Sequence, residues 1–361
     1  MMRRITLAPG YDISPVIRGG WQLSHSHSTS ISNDPVSDMI AFADSGITTF
    51  DCADIYTGVE ELIGAFRQRY LNLRGAEGVA RVRVHTKFVP DMAALPTIDK
   101  AYVERVIDKS LRNLKMERLD LVQFHWWNYG VDRWIETAGW LEELRKAGKI
   151  NFISGTNFDT PHMLAMIESG VPLRSMQVQY SLLDRRPSLK MVDAAEANGV
   201  ALFCYGTVAG GFLGEKWLGI PEPQETMENR SLIKYKLIID EFGGWNLFQE
   251  LLQALSVIAK HHNTDIATVA SAAVLARPGV SAVIVGARNR DHLESNLKVA
   301  SIELSSEDQA QLAAVIDRSH ELEGDVYTLE RDLNGRHGSI MKYNLNREGK
   351  PNAPQETAHV N

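Results

Sequence analysis

Residues 47–56 read Ile-Thr-Thr-Phe-Asp-Cys-Ala-Asp-Ile-Tyr, a short β-branched and aromatic run that stops at Asp51 and is soon followed by Tyr56. Such a run with an abrupt polar stop predicts a buried strand that delivers its last side chain to one end of a sheet. The pattern recurs at 82–87, which ends at Lys87, and at 119–125, which ends at His125. Five further runs, at 16–22, 151–155, 176–180, 201–205 and 281–285, bring the predicted strands to eight. Amphipathic segments lie between them. Val103, Ile107, Leu111 and Leu114 share one helix face, and so do Trp134, Ala138, Leu141 and Leu144. Asp99 and Asp132 are candidate caps for these two helices, and Gly148 is a stop signal after the second. Strands alternating with helices predict βαβ units and a parallel sheet. The fold expected is α/β, a closed (β/α)₈ TIM barrel. An open doubly wound sheet would carry a Gly-x-Gly-x-x-Gly turn after its first strand, and Arg18-Gly19-Gly20-Trp21 is not one.

The segments outside this pattern are an N-terminal β-hairpin at 5–13, expected to plug the barrel floor, and a long loop after the seventh strand at 214–245. A C-terminal extension follows. Residues 1–320 are expected to form the single barrel and 321–361 a partly irregular extension, frayed over 352–361. Its basic stretch 336–342 is expected to fold over the rim, so that deletion from Gly324 would change substrate range more than stability.

The chain has 361 residues, 44% of them hydrophobic and 23% charged, and a formal net charge of −7. This mild acidity argues against nucleic acid as a partner and gives no attraction to anionic membranes. Two cysteines, Cys52 and Cys204, are too few for a disulfide framework, and both are expected as reduced, buried thiols. The N-terminus lacks the apolar stretch of a secretory signal. The longest weakly polar stretch, 266–276, falls far short of the ~20 residues of a membrane span. A cytoplasmic protein is the expectation.

Polar groups at the C-terminal ends of barrel strands are where such folds do chemistry. Singly, Asp51, Tyr56, Lys87 and His125 read as a helix cap, a packed ring, a solvated cation and a core histidine. Together they are a carboxylate, a phenol, an ammonium and an imidazole on one rim, which is acid–base equipment.

At this point the chain resembles the aldo-keto reductase superfamily. The resemblance rests on Phe50-Asp51-Cys52-Ala53-Asp54-Ile55-Tyr56-Thr57-Gly58, Glu60-Glu61-Leu62-Ile63-Gly64, Thr86-Lys87, and Leu119-Asp120-Leu121-Val122-Gln123-Phe124-His125-Trp126. It continues through Gly155-Thr156-Asn157-Phe158, Gln177-Val178-Gln179-Tyr180-Ser181-Leu182 and Tyr205-Gly206, and covers roughly 15–300. It implies Asp51, Tyr56, Lys87 and His125 as a catalytic tetrad. Lys87 would lower the pKa of Tyr56 from the usual value of about 10, Asp51 would hold Lys87, and His125 would orient and polarise a carbonyl. Protein side chains carry no hydride, so a nicotinamide cofactor is implied, NADP(H) favoured and NAD(H) possible.

By the same resemblance Thr156, Asn157 and Gln177 hold the carboxamide, Tyr205 stacks on the ring, and Gly206, Gly210 and Leu213 belong to a glycine-rich phosphate loop. Gly286, Arg288, His292 and Asn296 belong to the adenosine end. The chain departs from the family's pattern in having Gly286 for a common lysine, His292 for an arginine and Ser295 for a glutamate. These changes bear on the choice between NADP and NAD. Thr156 replaces a usual serine, and Trp127 stands where proline is common. Trp21, Trp126 and Trp127, with Tyr129, would wall a pocket suited to an apolar carbonyl. No metal site is expected, because His25 and His27 lack a carboxylate or thiol partner.

The resemblance implies a reversible, nicotinamide-dependent reduction of an aldehyde or ketone to an alcohol, with Tyr56 as general acid. Two rivals are a cofactor-sensing regulatory subunit with slow turnover and an isomerase or aldolase using Lys87 as a Schiff-base amine. The partner expected is a small carbonyl or alcohol; oligomeric state is not readable from the sequence.

Overall fold

The computed structural model describes residues 2–24, 32–224, 227 and 229–346. Eight parallel strands close a barrel in the order β10-β3-β4-β5-β6-β7-β8-β9. They are β3 (Val16–Gly19), β4 (Thr49–Asp51), β5 (Arg83–Phe88), β6 (Leu119–Phe124), β7 (Ile150–Thr156), β8 (Leu173–Gln179), β9 (Ala201–Tyr205) and β10 (Val280–Gly286). A separate antiparallel hairpin, β1 (Ile5–Ala8) and β2 (Tyr11–Ile13), pairs Ile5 with Ile13. It packs Leu7, Tyr11 and Ile13 against Ile17, Leu121 and Phe203 of the barrel, as a plug requires. The Tyr11 hydroxyl lies 3.2 Å from Nε2 of the buried His85.

The first barrel strand is shorter than the run 16–22 suggests. The Gly20 amide turns to donate to the Asp51 carbonyl at 2.8 Å, and the chain leaves the sheet in a tight turn over Trp21–Leu23. That turn is what swings Trp21 onto the rim.

Helices interleave with the strands: α1 (Pro35–Asp44), α2 (Val59–Ala80), α3 (Lys100–Leu114), α4 (Trp134–Lys146), α5 (Thr160–Glu168) and α6 (Met191–Ala197). After β9 come α7 (Arg230–Phe242), α8 (Gly244–His261) and α9 (Ile266–Leu275), and after β10 come α10 (Leu293–Val299), α11 (Ser306–Ile316) and α12 (Thr328–Arg331). The periodic positions bury as expected: Val103, Ile107 and Leu114 on α3, and Trp134, Ala138, Leu141 and Leu144 on α4. Asp99 caps α3 by accepting from the Tyr102 amide at 2.8 Å. Asp132 does not cap α4: Arg133 occupies the cap position and no side chain bonds there.

The segment 214–245 is not a plain loop. Its Gly- and Pro-rich first half gives way to α7, capped by Asn229 onto the Leu232 amide at 3.1 Å. Tyr235, Ile238, Ile239 and Phe242 are its buried face, a helical spacing masked in the sequence by the glycines and prolines before it.

The tail is built into the molecule. Asp325 accepts from the Thr160 amide at 3.2 Å and the Thr160 hydroxyl at 3.1 Å. Glu330 pairs with Arg186 at 3.0 Å, and His337 Nε2 lies 2.8 Å from the Glu241 carboxylate. Beyond Tyr343 the chain lands beside β5, where Asp91 accepts from the Leu345 and Asn346 amides at 2.7 and 2.8 Å. The tail therefore crosses the C-terminal mouth of the barrel, and truncation at Gly324 strips Arg186 of a buried partner. Such loss is costly, so that deletion bears on stability as well as on substrate. The frayed segment expected at 352–361 lies outside the described residues.

One close approach sets the outer ring. A Cβ built on Gly64 of α2 would lie 2.1 Å from the Asn113 carbonyl oxygen on α3, so the two helices meet backbone to backbone. Gly64→Ala is expected to lower the urea midpoint by about 1–3 kcal/mol of stability, the cost of overpacking; an unchanged midpoint would show that the helices separate freely.

Candidate active site

Three adjacent strands set the ionisable groups on one rim. Asp51 ends β4, Lys87 sits near the end of β5, and His125 follows β6. Lys87 Nζ lies 2.5 Å from Asp51 Oδ2, with both side chains 5% exposed, and also donates to the Cys52 carbonyl at 2.9 Å. The other Asp51 oxygen accepts from the Gln123 amide at 2.8 Å and the Gln177 amide at 2.7 Å. Gln177 in turn donates to the Gln123 carbonyl oxygen at 2.8 Å. Burial, the largest single effect, would lower the lysine's pKa, but the Asp51 carboxylate, aided by Tyr56, turns the net shift upward. An ammonium held this firmly is a poor nucleophile, so the Schiff-base reading loses its chemistry.

Tyr56 follows β4 on a turn closed by its amide on the Ala53 carbonyl at 3.0 Å. Its ring centre is 4.9 Å from Lys87 Nζ and 5.0 Å from the Trp21 ring. Burial pushes the phenol's pKa up and Lys87 pulls it down, and burial wins. The lowering expected from the lysine is present as a force but not as the net result. The phenol stays protonated through neutral pH.

Next to it, His125 Nδ1 lies 3.0 Å from the Thr156 carbonyl oxygen. A carbonyl only accepts, so Nδ1 carries the proton. Burial, aided by Arg331, lowers the ring's pKa to about 3, and the imidazole is neutral. Its Nε2, buried and without a protein partner, is a lone-pair acceptor. The Trp127 ring meets His125 edge-on at 4.2 Å and Tyr327 does so at 5.8 Å.

These groups line a cavity of about 830 Å³, within the usual range for a small-molecule site. Trp21, Asp51, Tyr56, Lys87, His125 and Trp127 share it with Thr156, Asn157, Gln177 and Tyr205. Gly206, Gly210, Gly286, Arg288 and His292 extend it along the mouth. Four expected residues do not line it. Trp126 is fully buried in the main core, its indole N–H donating to the Asn128 carbonyl at 2.9 Å. Tyr129 lies behind, stacked on His162 at 3.4 Å. Leu213 is buried in a second core with Phe212 and Phe248. Asn296 is buried on α10, outside the cavity lining. Successive strand-end residues point to opposite sides, which is why Trp127 joins the cavity and Trp126 does not.

The cavity also takes residues with no site role expected from the sequence: Asn229, Arg230, Ser231 and Lys234 at the start of α7, and Tyr327 from the tail, while Met341 and Lys342 come from the stretch 336–342 expected to fold over the rim. Gln123 was legible, because it lies two residues before His125 and shares its face of β6. Tyr327 carried no local signal. Cys52 and Cys204 are free and buried, as expected, and burial raises both thiols. His25 and His27 lie outside the described residues. Elsewhere, His261, His262 and Asp308 bring ligand atoms within 4.8 Å of one another. Asp308 is committed there to the cap of α11, accepting from the Ser305 amide at 2.9 Å and hydroxyl at 2.8 Å. Among the described residues, no helix is long and apolar enough to cross a membrane.

Fold and site together define a (β/α)₈ barrel with an acid–base centre on its C-terminal rim. The chain belongs to the Aldo/keto reductase family, whose sequence model matches residues 15–317. These are oxidoreductases that generally use nicotinamide cofactors. An uncharacterized oxidoreductase, YrpG of Bacillus subtilis, is 28% identical over 73% of this chain and 81% of its own. The chloroplastic pyridoxal reductase of Arabidopsis thaliana is 27% identical over 86% of this chain and 85% of its own. Among solved structures, the glycerol dehydrogenase of Gluconobacter oxydans superposes with a TM-score of 0.71 at 21% identity, covering 90% of this chain and 97% of that one. That last likeness concerns the fold.

Burial lowers His85, like His125, to about 3. The unfolded chain, with histidines near 6.5, then binds more protons than the folded one between pH 6.5 and 3, so stability falls as pH drops through that window. From pH 7.5 to 5 the loss is expected to reach about 2 kcal/mol per histidine, read as a falling urea midpoint. His125→Asn should remove one share of it, and a variant whose midpoint follows pH as the parent's does would contradict the neutral His125 ring.

Proposed function

We propose that this protein reduces an aldehyde or ketone to the alcohol, reversibly, with NADP(H) favoured as cofactor. The observation that carries the reading is the protonated Tyr56 phenol beside the Lys87–Asp51 pair, in a cavity that also holds the partnerless Nε2 of His125.

The residues present fit a dinucleotide. The cavity wall is aromatic at Trp21, Trp127 and Tyr205, carries Gly206, Gly210 and Gly211, and is cationic at Arg230 and Arg288. Among the described residues, neither guanidinium has a carboxylate partner at ion-pair distance. Gly206 and Gly210 have φ of 75° and 66°, so their backbone turns tightly enough for phosphate oxygens to approach its amides. Thr156, Asn157 and Gln177 would hold the carboxamide and Tyr205 would pack on the ring. When bound, the nicotinamide supplies the hydride.

Tyr56 donates its proton to the substrate oxygen, and Lys87 steadies the phenolate left behind. Asp51 keeps Lys87 charged and aimed. His125, its Nδ1 proton held by the Thr156 carbonyl, sets its ring beside the reacting group; orientation is its part. Trp21, Trp127 and Tyr327 exclude water from the reacting carbon. The relative named as a pyridoxal reductase is consistent with carbonyl reduction.

Tyr56→Phe is expected to lower kcat for an aldehyde about 10²–10⁴-fold and leave the NADPH dissociation constant within about twofold. Since the phenol's pKa is raised, the parent's reduction rate should hold level through pH 9, while alcohol oxidation, which needs the phenolate, should climb with pH to 10 and above. A Tyr56→Phe variant turning over at the parent rate would end this reading.

A second expectation concerns the cofactor. Arg288→Ala should weaken NADPH about tenfold, as loss of a charge-assisted phosphate contact would, and leave NADH unchanged in a fluorescence titration. Equal effects on both would mean that Arg288 does not read the 2′-phosphate, and that Asp291 beside it on the cavity wall governs the choice.

A further inference from the structure

We propose that Lys234 is a positioning residue for the cofactor ring: moored to Glu330 of the tail, its ammonium braces Tyr205 from α7 and ties the cofactor shelf to the strap that closes the substrate side. The inference rests on the nicotinamide reading above and adds to it a residue on a different element.

Lys234 stands where three segments meet. Its Nζ is 3.5 Å from Glu330 Oε1, 5.6 Å from the Tyr205 ring centre and 5.3 Å from that of Tyr327. Both ring distances are within the reach of a cation–π contact. The lysine side chain is 13% exposed and that of Glu330 not at all. Glu330 does not depend on it: Arg186 already bonds the two carboxylate oxygens at 3.0 and 3.1 Å and pairs with Asp184 at 2.7 Å. The tail is thus latched without Lys234, and the longer bond to the lysine is an added mooring that fixes where its ammonium sits.

What the ammonium touches is functional surface. Tyr205 donates to Asn157 Oδ1 at 2.9 Å, and Asn157, held at φ 60°, donates its amide to the Gln177 carbonyl at 2.9 Å. The hydroxyl end of Tyr205 is therefore pinned, while its ring is braced by Lys234. The next residue on α7, Tyr235, packs under the phosphate loop so closely that a Cβ on Gly206 would lie 2.4 Å from its hydroxyl and one on Gly210 2.7 Å from its ring. One turn of α7 thus supports both the ring end and the phosphate end of the shelf. On the other side of the ammonium, Tyr327 is buried at φ 61°, edge-on to His125. A non-glycine residue in the left-handed region persists only where its surroundings hold it, and Lys234, with the Glu330 latch, is among what holds it.

The test compares Lys234→Met, which keeps the stem and drops the charge, with Lys234→Arg, which keeps a cation. NADPH affinity is read by quenching of tryptophan fluorescence, kcat and KM are read with 4-nitrobenzaldehyde, and melting is followed for each. The Met variant should melt close to the parent, because Arg186 keeps Glu330 paired. It should bind NADPH about three- to tenfold more weakly, the worth of one cation–π contact, with kcat lowered and aldehyde KM raised. The Arg variant should recover most of both. Parental affinity and kinetics in the Met variant would overturn the proposal, and so would losses that Arg does not restore and that track a fall in melting temperature. A parent protein that binds no nicotinamide nucleotide would instead overturn the functional reading itself, and this inference with it.

Discussion

A carboxylate and an ammonium 2.5 Å apart inside a barrel are expensive to desolvate, and their attraction repays that cost only when every remaining lone pair and proton is satisfied. Here the satisfaction is drawn from four strands. Asp51 comes from β4, Lys87 from β5, Gln123 from β6 and Gln177 from β8, and all of them meet at one carboxylate. A slip of one residue in any of these strands would turn its side chain from the interior to the helices and leave a buried charge unpaired. The site chemistry and the strand register are therefore enforced by one set of bonds.

The tuning of the acid follows from that arrangement. A buried phenol resists ionisation, and the adjacent ammonium opposes that resistance without overcoming it. For a proton donor in carbonyl reduction this is the useful balance: the proton is present at neutral pH, and the phenolate that remains after transfer finds a cation already in place. The neutral His125 complements it. Its proton is committed to the Thr156 carbonyl, so Nε2 presents a lone pair without a protein partner.

Much of this was legible along the chain because it is local. Strand runs ending at Asp51, Lys87 and His125 announce a rim, Asp99 announces a helix start, and the plug at Tyr11 reads as a hairpin. The failures are equally physical. Trp126 and Trp127 are neighbours in sequence, and only the handedness of the strand end decides which enters the core. Leu213 is buried in the second core, and Asn296 lies one turn beyond His292 with its amide buried and without a protein partner. Helix α7 hides behind glycines and prolines that mark its entry and not its body.

The tail shows why the remainder stayed invisible. Glu330 and Arg186 are 144 residues apart, and nothing near either announces the other. A glutamate in a short helix and the second of two arginines before a proline both look like solvated surface. Only closure of the barrel brings the loop after β8, helix α7 and the tail to one edge, where Asp184, Arg186, Glu330 and Lys234 balance two negative charges with two positive ones. Arg186 is the member that could least be lost, because it alone bonds both Glu330 and Asp184 at short range, and its removal would strip two buried carboxylates of their closest cation. The strap over the cavity is for that reason held as firmly as the barrel that it covers, and the space left for substrate is shaped by charge pairing remote from the reacting carbon.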